Sequence, residues 1–192
     1  MRKIILDLAV TLDGFIEGSN GEIDWLVRDE NTDFGDILNN ILVGIDSIFY
    51  GRVSYDLWGN YQPDENASLK LREAYKLLHS KTKYVFSTTK SYDNHKATII
   101  NSNIKERVQE ILQQPGENIW LYGGGKLTTT FINLSLVDIY RLAVHPVILG
   151  SGKPLFKDIK ERVDLKLIDV ESSKSGVILM SYETKRETTT NR

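Results

Sequence analysis

The stretch that most constrains this chain is Asn118 to Phe131, NIWLYGGGKLTTTF. An apolar run from Ile119 to Tyr122 meets three consecutive glycines, Gly123, Gly124 and Gly125. Lys126 then opens a segment with apolar residues at Leu127, Phe131, Ile132 and Leu134. A short run rich in β-formers, a glycine break and helix-spaced apolar residues predict a strand, a tight turn and a helix. Consecutive glycines are costly to order, because glycine loses the most backbone freedom on folding. Such a turn is useful where backbone must approach another group closely. At a helix N-terminus that group is often a phosphate, since free N–H groups and the helix dipole both favour an anion. From this stretch alone, a phosphate turn and a plain sharp βα turn are both open.

The same strand–turn–helix grammar recurs along the chain. Lys3 to Leu12 is a near-continuous apolar run, suited to a strand buried on both faces, and Thr11-Leu12-Asp13-Gly14 ends it. Phe15 to Trp25, with Gly18, Asn20 and Gly21, reads as a long loop. Asp33 to Leu42 has helical spacing, with Thr32 or Asp33 as N-cap. Ser47 to Tyr50 is a short strand stopped by Gly51, and Arg52 to Trp58 begins a helical turn. Ala67 to Leu78 and Ile104 to Leu112 are amphipathic helices, while Lys83 to Ser87, Ala97 to Ile100 and Val137 to Val144 read as strands. His145 to Phe156 is a glycine-punctuated loop. Val163 to Glu171 and Val177 to Thr184 form an antiparallel hairpin at the sheet edge. The polar tail from Lys185 to Arg192 reads as disordered. This order predicts one α/β domain over residues 1–184, a mostly parallel sheet with an antiparallel C-terminal hairpin.

Composition then removes whole classes of function. There is no cysteine, so disulfides, thiolate metal sites and cysteine nucleophiles are excluded. A net charge of −2 gives no basic surface for nucleic acid or membrane. The start MRKIILDLAV mimics a leader, but Asp7 interrupts its apolar run, and a cytoplasmic location is expected. His79, His95 and His145 are scattered, and no metal site is expected. The glycine turn is not a Walker A loop, because Leu127 stands at the Ser/Thr position. No G-x-G-x-x-G follows the first strand, and no G-x-S-x-G elbow is present.

Three predicted strand ends remain: Tyr50-Gly51-Arg52-Val53-Ser54, Phe86-Ser87-Thr88-Thr89 and Tyr122-Gly123-Gly124-Gly125-Lys126. Each offers N–H groups, hydroxyls or a cation at the carboxyl end of a strand, where ligands of open α/β sheets sit. Together they suit a dinucleotide, with glycine backbone on the pyrophosphate and the planar Arg52 fork on a second phosphate. Singly, each is equally a plain turn or a capping cluster.

The ordered set resembles the dihydrofolate reductase fold, and most closely the reductase domain of bacterial riboflavin biosynthesis with its small stand-alone relatives. The motifs are Thr11-Leu12-Asp13-Gly14, Gly21-x-x-x-Trp25, Gly51-Arg52-x-Ser54-Tyr55, Ser87-Thr88-Thr89, Gly123-Gly124-Gly125 and Pro146-Val147-Ile148-Leu149-Gly150-x-Gly152-x-Pro154-Leu155-Phe156. They span nearly the whole chain. The resemblance implies a three-layer fold and NADPH as hydride donor. It implies Ala9 and Val10 at the nicotinamide, and Gly51, Arg52 and Ser54 on phosphate. Ser87, Thr88 and Thr89 would hold the adenosine ribose phosphate. Tyr122, Gly123, Gly124, Gly125, Lys126, Leu127 and Thr128 would cover the pyrophosphate, with a cis Gly–Gly bond. Asp13 and Trp25 are the candidate catalytic residues, and Pro146, Ile148, Leu149, Gly150 and Gly152 would border the substrate.

The implied activity is that of a 5-amino-6-(5-phosphoribosylamino)uracil reductase, delivering hydride to a C=N or C=O of a pyrimidine- or pterin-like acceptor. Arg28, Lys153 and Lys157 are the cations available for a substrate phosphate. Dihydrofolate reduction, a non-catalytic NADP(H)-binding protein and a structural dimer module are the alternatives. The region of the helix after the first loop offers Asp29, Glu30, Asp33 and Asp36 as acids, and no spacing singles one out. The family also implies a homodimer, with edge strands near Val137 to Val144 or the C-terminal hairpin as candidate contacts.

Overall fold

In the computed structural model residues 1–89 and 97–186 are described. His95 and the tail beyond Arg186 lie outside them. Strands β1 (Ile4–Thr11), β2 (Phe15–Glu17), β3 (Ile45–Gly51), β4 (Thr82–Phe86), β5 (Thr98–Ile100), β6 (Asn118–Gly123), β7 (Ile139–His145), β8 (Lys153–Pro154), β9 (Leu165–Ser172) and β10 (Ile178–Thr184) alternate with five helices. These are α1 (Phe34–Leu42), α2 (Arg52–Ser54), α3 (Leu69–Ser80), α4 (Ile104–Gln113) and α5 (Gly125–Asn133). A π-helical turn, Tyr55–Gly59, continues α2.

Eight strands form one sheet in the order β5-β4-β3-β6-β1-β7-β10-β9. The first six in that order run parallel, and β10 and β9 are antiparallel, as the hairpin pattern predicts. Alternation of side chains across the strands builds a core on each face. Leu6, Phe49 and Leu121 meet Val108 of α4 and Phe131 of α5 on one face. Ile5, Ile48, Tyr50 and Trp120 meet Leu38 of α1 and Leu78 of α3 on the other. The result is the expected three-layer α/β architecture.

Local signals explain the helix starts. The Asp33 carboxylate accepts from Gly35 N at 2.6 Å and caps α1. Ser68 Oγ accepts from Leu71 N at 3.1 Å and caps α3. The loop before α3 therefore runs further than the pattern at Ala67 suggests. Two features depart from expectation. The loops 15–25 and 145–156 each contribute a very short strand, and β2 and β8 pair as a separate small sheet. Lys185 and Arg186 are tied down rather than loose: Lys185 N donates to Asp164 O at 2.8 Å, and Arg186 pairs with Asp138.

Candidate active site

The order of strands in the sheet places β6 between β3 and β1 and β7 on the far side of β1. The β1–β6 ladder ends at Leu6↔Leu121, whereas β1 stays paired with β7 as far as Thr11↔His145. Beyond Leu6, a central strand thus faces a gap on its β6 side. Trp120 Nε1–H donates to the Asp7 carbonyl there at 3.0 Å, satisfying the first acceptor left without a strand partner. Ala9 is only partly buried although it sits on a central strand, and Val10 points into the opposite core. Of the two residues expected at a nicotinamide, Ala9 offers its side chain to the gap, and Val10 can offer only backbone.

The glycine turns form the rim of this gap. A Cβ on Gly51 would sit 3.0 Å from Gly123 O, and one on Gly124 would sit 2.9 Å from Ser54 Oγ. The turns after β3 and β6 therefore touch through backbone. Gly123 and Gly124 adopt φ of 92° and 95°, conformations that L side chains rarely take. No peptide bond among the described residues is cis, so the cis Gly–Gly expectation is corrected. Two successive glycines at positive φ turn the chain with trans bonds. Thr128 N donates to Gly124 O at 3.0 Å, closing the first turn of α5. Thr128 Oγ1 is fully buried without a hydrogen-bond partner among the described residues, 2.9 Å from where a Gly123 Cβ would lie. Leu127 is buried in the core, and Lys126 is exposed. Arg52 is partly exposed and pairs with Asp56 at 3.1 Å, one helical turn on. Ser87 lies one strand further out, its Oγ accepting from Thr89 N at 3.3 Å, with Thr88 and Thr89 exposed. The fold thus brings Gly51–Ser54 and Gly123–Thr128 to one crevice, with Ser87–Thr89 beside it.

The other bank joins the turn after β1 to the loop 146–156. Asp13 accepts from Thr11 Oγ1 at 2.6 Å, from Gly150 N at 2.7 Å and from Leu149 N at 3.2 Å. The bond from Thr11, and then those from Gly150 and Leu149, hold its carboxyl below the usual range. The carboxylate thus clamps the turn after β1 to the loop 146–156. A Cβ on Gly152 would run into the Glu17 carbonyl, so that glycine lets β8 lie on β2. Pro146 and Ile148 are exposed, and Pro146 lies beside Gly176 of the β9–β10 turn.

Trp25 is 8% exposed and fastens its loop to the core. Its Nε1–H donates to Glu22 O at 3.2 Å, and its ring meets His145 edge-on at 5.3 Å. His145 Nδ1 accepts from Val27 N at 3.1 Å, so the neutral ring carries its proton on Nε2, and burial lowers its pKa. Three of the four acids near α1 make structural contacts. Asp29 accepts from Lys174 N and Ser175 N at the β9–β10 turn, Asp33 caps α1, and Asp36 pairs with Lys70 at 2.7 Å. The Ser68 and Gly35 hydrogen bonds lower the Asp33 pKa.

Lys153, a candidate cation from the sequence, and the Asp7–Arg141 pair, which the sequence does not single out, are further charged groups on these strands. Lys153 packs against Gly125 and pairs with Glu17 at 3.1 Å, across the β2–β8 contact. Asp7 and Arg141 are register partners on β1 and β7 and form an ion pair. A separate crevice of about 270 Å³ lies at the opposite end of the sheet, near Met1. Its Lys3 and Arg186 are already paired with Glu183 and Asp138.

Comparison with known proteins agrees with this architecture. The uncharacterized protein YyaP of Bacillus subtilis (strain 168) is 54% identical over 181 residues, covering 94% of each chain. The Thermotoga maritima diaminohydroxyphosphoribosylaminopyrimidine deaminase/5-amino-6-(5-phosphoribosylamino)uracil reductase superposes with a TM-score of 0.65 at 17% identity, over 96% of this chain and 57% of that one. Dihydrofolate reductase from Enterococcus faecalis, complexed with NADP(H), gives 0.63 at 14% identity, over 96% and 97%. At such identities the two structures show a shared fold. The family model for the RibD C-terminal domain matches residues 2–179, and the chain belongs to that family.

Proposed function

We propose that this protein is an NADPH-dependent reductase that transfers hydride to a C=N or C=O bond of a pyrimidine- or pterin-like acceptor. The observation that carries the reading is the gap between β1 and β6, rimmed by two glycine turns in backbone contact. The unpartnered Thr128 Oγ1 and the positive-φ glycines fit a phosphate-bearing dinucleotide, because a buried hydroxyl without a partner is costly. When bound, the reduced nicotinamide would supply the hydride, and the acceptor heteroatom would take a proton. The chain's part is to align and exclude water: the Gly51–Ser54 and Gly123–Thr128 turns hold phosphate, Arg52 exchanges Asp56 for a ribose phosphate, and Ala9 leaves room for a planar ring. Reductase chemistry in the family, and NADP(H) in the enterococcal enzyme of the same fold, support the cofactor.

The riboflavin-type substrate is favoured over folate. Asp29, Asp33 and Asp36 are engaged in structural contacts, which leaves them poorly placed to serve a pterin. A cytoplasmic homodimer belongs to the same reading. Strand β9 of the C-terminal hairpin is one edge of the sheet, with Leu167, Ile168 and Val170 exposed, whereas β7 lies inside it between β1 and β10, and sedimentation would report the dimer.

The test is a fluorescence titration with NADPH and NADH, wild type beside Arg52→Ala. Wild type is expected to prefer NADPH, and the variant to lose roughly 1.5–3 kcal/mol of NADPH binding, the range for hydrogen bonds to charged groups. Failure of wild type to bind either dinucleotide refutes the reading.

A further inference from the structure

Asp7 is the only charged residue in the β1 run IILDLAVT, and it is buried. It accepts from Arg141 Nε through Oδ2, on the adjacent central strand and on the same face. Burial raises its pKa, and Arg141 opposes the rise. Stability does not explain such a pair, since well-packed apolar replacements of buried ion pairs are often neutral or stabilising.

The pair is also incomplete. Asp7 Oδ1 and Arg141 Nη1 make no hydrogen bond among the described residues, and Arg141 Nη2 reaches Ile41 O only at 3.5 Å. The Arg141 side chain is 27% exposed, so the pair is open on one side. Two residues further along both strands, on the same face, stand the register partners Ala9 and Ala143, small and only partly buried. Beyond Leu6, β6 no longer pairs with β1. A donor and an acceptor thus lie side by side on the floor of a space that small side chains leave open. Half-satisfied buried polar networks are costly, so this one calls for a ligand that completes it.

We propose that Asp7 and Arg141 bind the acceptor substrate by a ureide- or lactam-type edge, the ring N–H donating to Asp7 Oδ1 and the adjacent carbonyl accepting from the Arg141 guanidinium. This rests on the reductase reading only in calling the ligand the acceptor. The Asp7 carboxylate would repel a phosphate, so a substrate phosphate lies away from this floor.

Lumazine, a fluorescent pteridinedione with this edge, and 1,3-dimethyllumazine, which lacks both N–H groups, serve as probes. Wild type is expected to bind lumazine roughly tenfold or more tightly than the dimethyl form, the scale of a lost hydrogen bond to a charged group. Asp7→Leu/Arg141→Met replaces the pair with apolar groups and is expected to fold while losing that preference. Arg141→Lys keeps the charge without the planar fork and is expected to reduce it. A purely structural pair would change both probes equally. Wild type that binds both probes alike, or neither, overturns the proposal whatever the variants do, as does a folded double variant that keeps the preference. NADPH titration of the same samples separates the two readings. NADPH binding without lumazine preference sinks this inference alone, and preference without NADPH binding sinks the reductase reading alone.

Discussion

Gly124→Ala tests the turn on which the cofactor reading depends. Gly124 has φ 95° and ψ 129°, a region nearly closed to residues with a Cβ. Alanine there stores about 1–3 kcal/mol of backbone strain. The new methyl would also sit 2.9 Å from Ser54 Oγ, which can rotate aside at smaller cost. Taking about 2 kcal/mol, and about 2–4 °C per kcal/mol for a chain of this size, Tm falls by roughly 4–8 °C. Gly14→Ala is the matched control: φ is 88°, but nothing lies within 4 Å of its Cβ position. It is expected to lower Tm similarly and leave NADPH binding alone, whereas the Gly124→Ala methyl stands between the two turns and weakens NADPH roughly tenfold, about 1.4 kcal/mol. Adding Ser54→Ala to Gly124→Ala should recover the contact part of the Tm loss and none of the φ part. Differential scanning fluorimetry and NADPH titration read both quantities. A Gly124→Ala protein that melts and binds NADPH like wild type would refute the reasoning.

Other expectations follow from the same contacts. Phe131 is fully buried, with ring centroids 5.1 Å from Phe86 and 5.6 Å from Phe49, so Phe131→Ala should cost about 3–5 kcal/mol in denaturant unfolding; a loss below about 1 kcal/mol would place that ring outside the core. His145 is buried neutral with a lowered pKa, so its contribution is present above the unfolded value of about 6.5 and is lost as pH falls through the lower folded value. His145→Asn, which keeps an acceptor for Val27 N–H, should flatten the slope of Tm against pH in that window, and an unchanged slope would contradict the assignment. Asp13→Asn should loosen residues 146–150 in hydrogen exchange without altering NADPH affinity, whereas loss of NADPH binding would mean that the clamp reaches the cofactor.

The parts of this fold with strong local periodicity are legible in the chain. Asp33 capping α1, the glycine turn opening α5 and the C-terminal hairpin all follow from neighbours in sequence. What escapes is set by pairing between distant segments. Asp7 reads as a blemish in an apolar strand until β1 and β7 align it with Arg141. Lys153 and Glu17 meet only because three- and two-residue strands, too short to show a period, pair across a small second sheet. Trp25 on its polar loop is open in sequence to a site role or to stapling the loop to the core, and only the fold shows it buried against His145. The acids near α1 look equivalent in sequence, and their separate duties at Ser175, Gly35 and Lys70 emerge only from tertiary contacts. The glycine run shows where a tight turn lies, while its φ values and trans bonds depend on the packing of Ser54 and Thr128 around it.

The central claim is that the crevice between the glycine turns holds NADPH, and backbone amide NMR with and without NADPH tests it most directly. The account predicts shift changes concentrated at Gly51–Ser54, Ser87–Thr89 and Gly123–Thr128, with a smaller set at Ala9. Changes clustered instead at the charged crevice near Met1, or none at saturating NADPH, would contradict it.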